Sequence, residues 1–196
     1  SRGLVGSEMC IRDSIQIAGG VEHMHHVPVT KDYNPAPSLF RRHSEAIMNM
    51  GLTAEYLAMK YEIPREQQDE FAARSQQLAA KATESGEFDC EIIPTWGRSE
   101  AGQKELIKTD QGIRADTTAE TLATLRPVFN PAGGSVTAGS SSQLSVGSAA
   151  LLMMSEEKAA ELGFKPMAKI KAMAVAGVAP EEMGIGPVPA VHKALK

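Results

Sequence analysis

Residues 149–176 alternate between the sequence patterns of strands and of a helix. The run 149–154 (AALLMM) is continuously apolar, which is typical of a strand buried on both faces of a sheet. Ser155 then offers a helix cap followed by two glutamates, and Gly163 is placed to end that helix. Residues 167–176 alternate between apolar and polar residues, as a second strand would. A strand, a helix and a strand in succession predict an α/β fold with a buried parallel sheet.

The middle of the chain has helical patterns. Residues 53–61 and 65–84 predict two helices, and Pro64 and Gly86 bracket the second as a first-turn proline and a terminal glycine would. Along that second helix, residues at spacings of four, three and four predict a packed face of small and apolar side chains: Phe71, Ser75, Leu78 and Ala82. A shorter helix is predicted after the capping-box sequence 117–120. We therefore expect a mostly helical insertion between the elements of the sheet.

Four further segments complete the predicted elements. Residues 15–18 form a short apolar strand, and residues 92–93 form another that Pro94 closes. Residues 97–112 are polar, and we expect them to be an exposed loop. Residues 187–196 begin with prolines suited to the first turn of a helix and therefore predict a helix start.

The two ends of the sequence look incomplete. Residues 1–14 have no helical or strand period, begin without a methionine, and resemble a recurrent translation of sequencing-adapter DNA. We expect them to be an artefact and exclude them from reasoning about the fold. The last predicted helix stops at residue 196 without a cap. We therefore expect the chain to be a fragment of a longer protein.

Composition and charge argue against several classes of protein. There are 20 Lys and Arg residues against 24 Asp and Glu, for a formal net charge of −4, and no basic block is present. A nucleic-acid-binding surface therefore has no compositional support. No apolar run approaches the roughly 18 residues that a membrane helix needs. We expect a soluble, intracellular protein with neither nucleic acid nor a membrane as a partner.

The histidines and cysteines are weak candidates for a metal site or a nucleophile. His23, His25 and His26 invite a metal-site interpretation because alternate residues of a strand share a face. We favour histidines that make local hydrogen bonds, since only one glutamate lies nearby and zinc sites show clearer ligand pairs. Cys10 and Cys90 form neither a disulfide framework nor a zinc pattern. The acidic residues on both sides of Cys90 make a poor setting for a nucleophilic thiolate.

Two further features could bind a ligand or could be structural. The segment 133–142 (GGSVTAGSSS) could cradle an anion or make tight turns, and we favour turns because the Gly-Lys-Ser/Thr ending of a phosphate-binding loop is missing. A hydroxyl beside glycines can nevertheless hold an amide or a thioester. Six methionines could line a cavity for an alkyl chain, or could fill the core, which we favour for most of them: Met48, Met50, Met153, Met154, Met173 and Met183. Residue chemistry alone therefore shows no catalytic set.

Six segments occur in the order and at the spacing found in one enzyme family: GGVEHM (19–24), MGLTAE (50–55), QQDEFAARS (67–75), LRPVF (125–129), VTAG (136–139) and MGIGPVPA (183–190). Each segment is weak alone, but the ordered set extends over residues 15–196 and resembles the thiolase family, whose members cleave or form 3-ketoacyl-coenzyme A. The first segment most resembles the degradative 3-ketoacyl-CoA thiolases (acetyl-CoA C-acyltransferases) of fatty-acid β-oxidation.

The resemblance implies a layered, thiolase-like α/β fold of two similar halves, with a mostly helical loop domain inserted in the first half. Residues 15–26 would be an inner strand of the N-terminal half. Residues 27–143 would be the loop domain that covers coenzyme A, and residues 144–163 would complete the N-terminal half. Residues 164–196 would be the truncated start of the C-terminal half.

The resemblance also implies an activity, the thiolysis of 3-ketoacyl-CoA by coenzyme A to acetyl-CoA and a shortened acyl-CoA. The nucleophilic cysteine, the histidine that activates it and a second cysteine would all lie outside this chain. The chain would then contribute no catalytic residue and would be inactive by itself. Coenzyme A and acyl-CoA would be substrates, with no permanently bound cofactor and no metal.

Six residues match coenzyme-contacting positions of the family: Ser142, Ala138, Phe129, Arg114, Met50 and Met183. The resemblance implies that the serine hydroxyl hydrogen-bonds the pantetheine amide, with the alanine and the phenylalanine as apolar neighbours. The arginine would lie near the nucleotide end, where a fixed cation suits phosphates. The two methionines would line the tunnel for the acyl chain and pantetheine.

Two residues depart from the family pattern. Asn49 stands where some biosynthetic members carry histidine, which argues against the acetoacetyl-specific branch. Val146 stands where the family usually has aspartate, so a turn hydrogen bond near Ser142 would be missing. Two alternatives stay open: a biosynthetic acetoacetyl-CoA thiolase, and a non-catalytic coenzyme A- or lipid-binding module of the same fold.

The resemblance also implies partners and a location. Members of the family are usually homodimers or dimers of dimers, and a hydratase–dehydrogenase subunit of a β-oxidation complex would be a further partner. We expect a location in the bacterial cytoplasm.

Overall fold

The computed structural model describes residues 15–27, 31, 34–99 and 101–196 of the chain. Its helices and strands follow in this order: strand β1 (Ile15–His23), helix α1 (Pro37–Phe40), a first 3-10 helix (Glu45–Met48), helices α2 (Met50–Lys60) and α3 (Arg65–Glu84), strands β2 (Thr95–Arg98) and β3 (Lys104–Ile107), helix α4 (Ala119–Ala123), strand β4 (Val146–Met154), helix α5 (Glu156–Glu161), a second 3-10 helix (Pro180–Ile185) and helix α6 (Pro187–Ala194). The segment 1–14, predicted to be an artefact, lies outside the described residues and includes Cys10.

The chain divides into two compact units. Unit one comprises the described residues of Ser1–Leu39 together with Leu144–Ala176 and Val188–Lys196. Unit two comprises Phe40–Gln143 and Gly177–Pro187, so it contains helices α2 to α4 and the second 3-10 helix. The assignment of part of the chain to a loop domain over coenzyme A stays a prediction.

Unit one is built on the antiparallel pair of strands β1 and β4. The pairing extends from Ile15 opposite Met154 to His23 opposite Val146, so the predicted first strand is confirmed and is longer than predicted. The prediction of a parallel, fully buried sheet is wrong for this pair, because the strands are antiparallel and their side chains are largely exposed, Ile17 to 74%. Among the described residues β4 pairs only with β1, so the apolar run is not enclosed between two neighbouring strands.

Helix α5 begins and ends as predicted. The hydroxyl of Ser155 accepts the N–H of Lys158 at 3.2 Å, and Gly163 follows with a φ of +71°, a conformation that glycine adopts without strain. By contrast, residues 167–176 form no strand in the described structure, so the predicted second strand is wrong. Its alternating pattern suits a strand, but a strand also needs a hydrogen-bonded neighbour, and no described strand pairs with this segment.

The two long helices of unit two occur where they were predicted. Helix α2 begins three residues before its predicted start, and the bounds of α3 agree with the prediction at both ends. The prediction of its packed face is wrong, because Phe71 is 73% exposed and Leu78 is also exposed. The buried positions follow Arg65 at spacings of four, eight and fifteen residues: Asp69, Ala73 and Ala80. Helix α4 packs against α3, and Arg65 donates to the carbonyl of Leu122 in α4.

Strands β2 and β3 form an antiparallel hairpin in unit two. The strand predicted at 92–93 is wrong, because the N–H of Ile92 donates to the carbonyl of Phe88 at 3.0 Å and holds that stretch in a turn. Strand β2 begins only after Pro94, and the segment 97–112, predicted to be a loop, contains all of β3. Each strand has only four residues, TWGR and KELI, which is too short to show a clear alternation of apolar and polar residues.

The predicted short helix after 117–120 is confirmed as α4. Thr118 caps it by accepting the N–H of Thr121, whose own hydroxyl accepts the N–H of Thr118. Helix α6 confirms the helix start predicted at residues 187–196. Within the described residues, no helix has both the length and the apolar character needed to cross a bilayer.

Candidate functional site

The six residues predicted to contact coenzyme A all lie in unit two. They are carried by helix α2, by the segment between β3 and α4, by the loop that follows α4 and by the second 3-10 helix.

Glu55 of α2 holds the start of the glycine- and serine-rich segment. Its carboxylate accepts the N–H of Ser135 at 2.8 Å, the N–H of Val136 at 2.9 Å and the hydroxyl of Ser135 at 3.1 Å. A side chain on Gly134 would collide with this carboxylate and with the carbonyl of Asn130, so glycine permits the close approach. The segment therefore begins at a fixed point on α2.

Thr137 organises the turn that leads to Ser142. Its side chain is fully buried, and its Oγ1 accepts the N–H groups of Gly139 at 3.2 Å and of Ser140 at 3.4 Å. The carbonyl of Thr137 accepts the hydroxyl of Ser141 at 2.7 Å. The segment thus forms a tight turn, as we favoured from its sequence, and leaves Ser142 exposed immediately after it.

Helix α4 supports this turn through packing. A side chain on Gly139 would overlap the leucine side chains of Leu122 and Leu125, so the backbone of the turn lies directly on α4. Arg65 donates to the carbonyls of both leucines, at 2.7 and 3.0 Å, and so satisfies oxygens at the end of α4. Asp69, which is 2% exposed, in turn accepts Nε of Arg65 at 2.8 Å. Ala138, which precedes the glycine, is exposed.

The segment that carries Arg114 lies beside the residue that follows Ser142. A side chain on Gly112 would lie 2.6 Å from Nε2 of Gln143, so the glutamine side chain covers the backbone of Gly112. The N–H of Arg114 donates to Oε1 of Gln76 at 2.9 Å, which ties the segment to α3 while the arginine itself is exposed. The structure therefore places an exposed hydroxyl and an exposed cation on neighbouring segments.

Phe129 and Met50 meet at the start of α2. A side chain on Gly51 would overlap the ring of Phe129, so the ring lies against the backbone of the first turn, next to Met50. Asn49 caps this helix by accepting the N–H groups of Gly51 at 3.0 Å and of Leu52 at 3.2 Å. The ring is half-buried, whereas Met50 is exposed.

Met183 lies beside a later turn of α2. A side chain on Gly184 would lie 2.8 Å from Cδ1 of Leu57, so the second 3-10 helix approaches α2 closely there. Lys60 forms an ion pair with Glu182, and the hydrogen bond that Lys60 donates to this carboxylate raises the pKa of Lys60. Leu57 stands seven positions after Met50 in the helix, a rise of about 10 Å, so the two methionines flank opposite ends of α2.

The methionines do not behave as core residues. Met50, Met173 and Met183 are exposed, and Met153 and Met154 are only half-buried, so the expectation that most of them fill the core is wrong. The side chain of Met48 lies outside the described residues. The second interpretation, of methionines that face an alkyl chain, stays a prediction.

The histidines and the described cysteine show local interactions. His26 donates its N–H to Nδ1 of His23 at 3.3 Å, and the two rings stack with centroids 3.9 Å apart. Among the described residues, no group of three histidine, cysteine or acidic side chains is arranged to hold a metal ion. Cys90 is exposed, and its Sγ lies 3.9 Å from the carbonyl of Glu87.

Sequence reasoning missed the residues that hold the site together. Glu55 stands in the segment MGLTAE that carries the family resemblance, and Arg65 and Asp69 have the spacing of a helical ion pair. Both signals were visible, but neither says that these side chains reach residues 122–136. Those contacts join positions more than 50 residues apart in the sequence.

Comparison with known proteins gives consistent matches. The sequence profile of the family described as "Thiolase, N-terminal domain" matches residues 6–157, and so overlaps the segment 1–14, whose interpretation as an artefact stays a prediction. The 3-ketoacyl-CoA thiolases of Saccharophagus degradans and Marinobacter nauticus are 53% and 55% identical to the chain over 181 and 182 residues. Each alignment covers 92% of this chain and 46% of the relative.

Solved structures confirm the predicted thiolase-like α/β fold. The dimeric peroxisomal thiolase of Saccharomyces cerevisiae aligns with a TM-score of 0.83 at 34% identity, over 96% of this chain and 49% of that one. The acetyl-CoA acetyltransferase of Bacillus anthracis aligns with a TM-score of 0.76 at 42% identity, over 93% of this chain and 49% of that one. The chain spans about half the length of the curated relatives that it matches. Because the family profile covers most of its residues and relatives share more than half of their aligned residues with it, the chain belongs to the thiolase family.

Proposed function

We propose that the protein to which this chain belongs is a 3-ketoacyl-CoA thiolase that acts in fatty-acid β-oxidation. In this reaction the bond between the α-carbon and the β-keto carbon breaks. One product is acetyl-CoA, and the thiol of the incoming coenzyme A takes the acyl group that is shortened by two carbons. The observation that carries the proposal is the 53–55% identity to relatives that bear this name.

The contribution of this chain would be to hold coenzyme A. The exposed hydroxyl of Ser142, which follows a tight turn, suits a hydrogen bond to a pantetheine amide. Ala138 and Phe129 would give that arm apolar contacts, and Arg114 would approach its phosphates. Met50 and Met183 at the two ends of α2 would face the acyl chain and pantetheine. Coenzyme A and acyl-CoA are then substrates, and no permanently bound cofactor is needed for acyl transfer of this kind.

Acyl transfer also needs a sulfur nucleophile, and we assign it to residues outside this chain. The proposed mechanism forms a thioester on a cysteine, which a histidine activates and from which the second coenzyme A removes the acyl group. The described Cys90 is exposed and follows Asp89 at the end of a turn, with no histidine among its hydrogen-bond partners. This chain alone is therefore expected to catalyse no thiolysis.

The biosynthetic alternative has one observation in its favour, since a structural neighbour is named an acetyl-CoA acetyltransferase. Against it stands Asn49, because some biosynthetic members carry histidine at this position. The side-chain oxygen of Asn49 is occupied in capping α2. The acyl chain length that the full protein prefers distinguishes the two. The other alternative, a non-catalytic coenzyme A- or lipid-binding module, predicts binding without turnover in the full protein as well.

We further propose that the full protein forms a homodimer or a dimer of dimers and works in the cytoplasm of a bacterium. The solved yeast neighbour is described as dimeric, and the curated relatives at 53–55% identity come from bacteria. A hydratase–dehydrogenase subunit is the proposed further partner. Cross-linking followed by mass measurement tests the oligomeric state when the full protein is alone. The same measurement with such a subunit present tests the further partner.

Calorimetric titration of this chain with coenzyme A tests the proposed binding role directly. Ser142→Ala removes one hydrogen bond, about 1 kcal/mol, and should weaken binding about fivefold. Ser85→Ala is the matched control, since that serine bonds locally to the carbonyl of Ala82 at the end of α3. An unmodified chain that binds no coenzyme A would refute the role, and equal affinities of the two variants would refute the assignment of Ser142.

Thiolysis of acetoacetyl-CoA tests the assignment of catalysis. The chain alone should show no loss of the ketoacyl substrate, whereas a protein completed from the flanking genomic DNA should be active. Turnover by the chain alone would contradict the assignment of the nucleophile to residues outside it, and an inactive completed protein that binds coenzyme A would favour the non-catalytic module.

A further inference from the structure

The carboxylate of Glu55 is the point at which helix α2 meets the loop that leads to the proposed coenzyme contacts. Its two oxygens accept three groups from adjacent residues, the N–H and hydroxyl of Ser135 and the N–H of Val136, at distances between 2.8 and 3.1 Å. Hydrogen bonds to an ionised acceptor are stronger than neutral ones. The described side chains include no cation that forms an ion pair with Glu55, so its described polar partners are these donors of the loop.

Ser135 extends the connection to the neighbouring helix. Its hydroxyl donates to Glu55 and accepts Nε2 of Gln68, on α3, at 2.9 Å. Two helices are therefore joined at one serine. The serine can occupy this position only because the glycine before it, Gly134, leaves room for the carboxylate.

The loop leaves this point in two directions, and both lead to proposed coenzyme contacts. Backwards along the chain, the carbonyl of Val136 accepts the N–H of Val128 at 3.0 Å, which places the neighbouring Phe129 against the first turn of α2. Forwards, Val136 is buried and is followed at once by the turn of Thr137, after which Ser142 is exposed. The carboxylate of Glu55 thus holds the residues from which both the segment with Phe129 and the turn of Thr137 extend.

We propose that Glu55 is a positioning residue: through Ser135 and Val136 it sets the Gly/Ser turn and Phe129 relative to α2. The residues that contact coenzyme A are then already in place before the ligand binds. The inference rests on the proposed function, since it assigns Glu55 to the same site. A ligand that meets a pre-formed site does not have to order the loop when it binds, and this raises affinity without any direct contact.

The test compares three variants of the full 196-residue chain. Glu55→Gln keeps the size of the side chain but replaces one acceptor oxygen by an amide that can only donate, so it faces the N–H donors of the loop with the wrong chemistry. Ser135→Ala removes the hydroxyl but keeps both N–H donors. Glu70→Gln is the matched control, because it makes the same change at an exposed position of α3.

Two readouts separate positioning from general support of the fold. Amide exchange, measured by NMR, should become faster at Ser135 and Val136 in Glu55→Gln and stay unchanged in Glu70→Gln. Calorimetric titration with coenzyme A, at a temperature where each variant is fully folded, should show affinity reduced at least about tenfold in Glu55→Gln and less than about threefold in Ser135→Ala. A role in stability alone would move the unfolding midpoint and leave this affinity unchanged.

Each other outcome overturns the inference. Faster exchange with coenzyme A affinity within about twofold of the original chain would refute positioning while leaving the proposed function intact. Unchanged exchange would show that the carboxylate does not hold the loop. If Glu55→Gln does not fold, Glu55→Asp keeps the charge but withdraws it by one methylene, and an unchanged affinity there would refute the inference. An original chain that binds no coenzyme A overturns the proposed function and the inference together.

Discussion

Replacing Thr137 by valine tests whether one hydroxyl holds the turn before Ser142. The residue is fully buried, and valine has the same shape without the oxygen that accepts the N–H groups of Gly139 and Ser140. Each orphaned donor costs about 1–3 kcal/mol when it is fully buried. Both residues are only half-buried and the second bond is long, 3.4 Å, so water compensates part of the loss. We therefore expect a decrease of about 1–2 kcal/mol in the free energy of unfolding.

Urea denaturation followed by far-ultraviolet circular dichroism measures this change. The midpoint should fall while the slope of the transition stays the same, and the melting temperature should drop by about 3–6 °C. Thr53→Val is the matched control, since this buried threonine donates a single bond to the carbonyl of Met50 in its own helix, and it should cost about half as much. If the two variants lose the same stability, or if Thr137→Val loses less than about 0.5 kcal/mol, the hydroxyl does not hold the turn.

Two further predictions concern a close contact and a titrating group. Gly51→Ala gains about 0.5–1 kcal/mol of helix propensity but must displace the ring of Phe129 at a cost of about 1–3 kcal/mol, so the variant should be less stable and should bind coenzyme A more weakly; a more stable variant with unchanged binding would contradict the contact. The pKa of Glu120 is lowered by its own backbone N–H and by the hydroxyl of Thr118 at the start of α4. The ionised form is thus favoured in the folded state, and its contribution to stability is present above the ordinary glutamate pKa and is lost as the pH falls through the lowered value. Glu120→Gln should accordingly have a lower urea midpoint than the original chain at about pH 7, and the difference should shrink as the pH falls below the ordinary glutamate pKa; a difference that does not shrink would refute this.

The ends of the helices were predictable because the residues that determine them are local. Pro64 and Gly86 lie on either side of α3. The N–H of Gly86 donates to the carbonyl of Thr83 in the last turn, and the glycine has a φ of +73°. Ser155 likewise caps α5 with an acceptor three residues from its donor, Lys158. Such contacts involve neighbours in the sequence, so a short segment contains all the information they need.

The buried faces and the strands were not predictable in the same way. Phe71 and Leu78 have the spacing of a packed stripe, yet α4 reaches α3 from the side of Arg65 and leaves that stripe exposed. Strand pairing was hard to predict for the same reason. Residues 149–154 pair with β1, which lies more than 120 positions earlier in the sequence, and the run itself does not indicate that the pairing is antiparallel. Periodicity describes which residues share a face, and only the partner decides which face is covered.

In the candidate site, too, the sequence indicated some residues and not others. The family resemblance could indicate Ser142 and Arg114, because a contact with a ligand is a property of position within a motif. The resemblance could not indicate why those residues lie on neighbouring segments. Their placement depends on Gln143 lying over Gly112 and on the hydrogen bonds that Ser135 donates to Glu55. A carboxylate that accepts three donors from a loop 80 residues away leaves no local pattern in its own helix. Substitutions at such supporting positions should therefore be as informative about the proposed coenzyme site as substitutions at the residues that would touch the ligand.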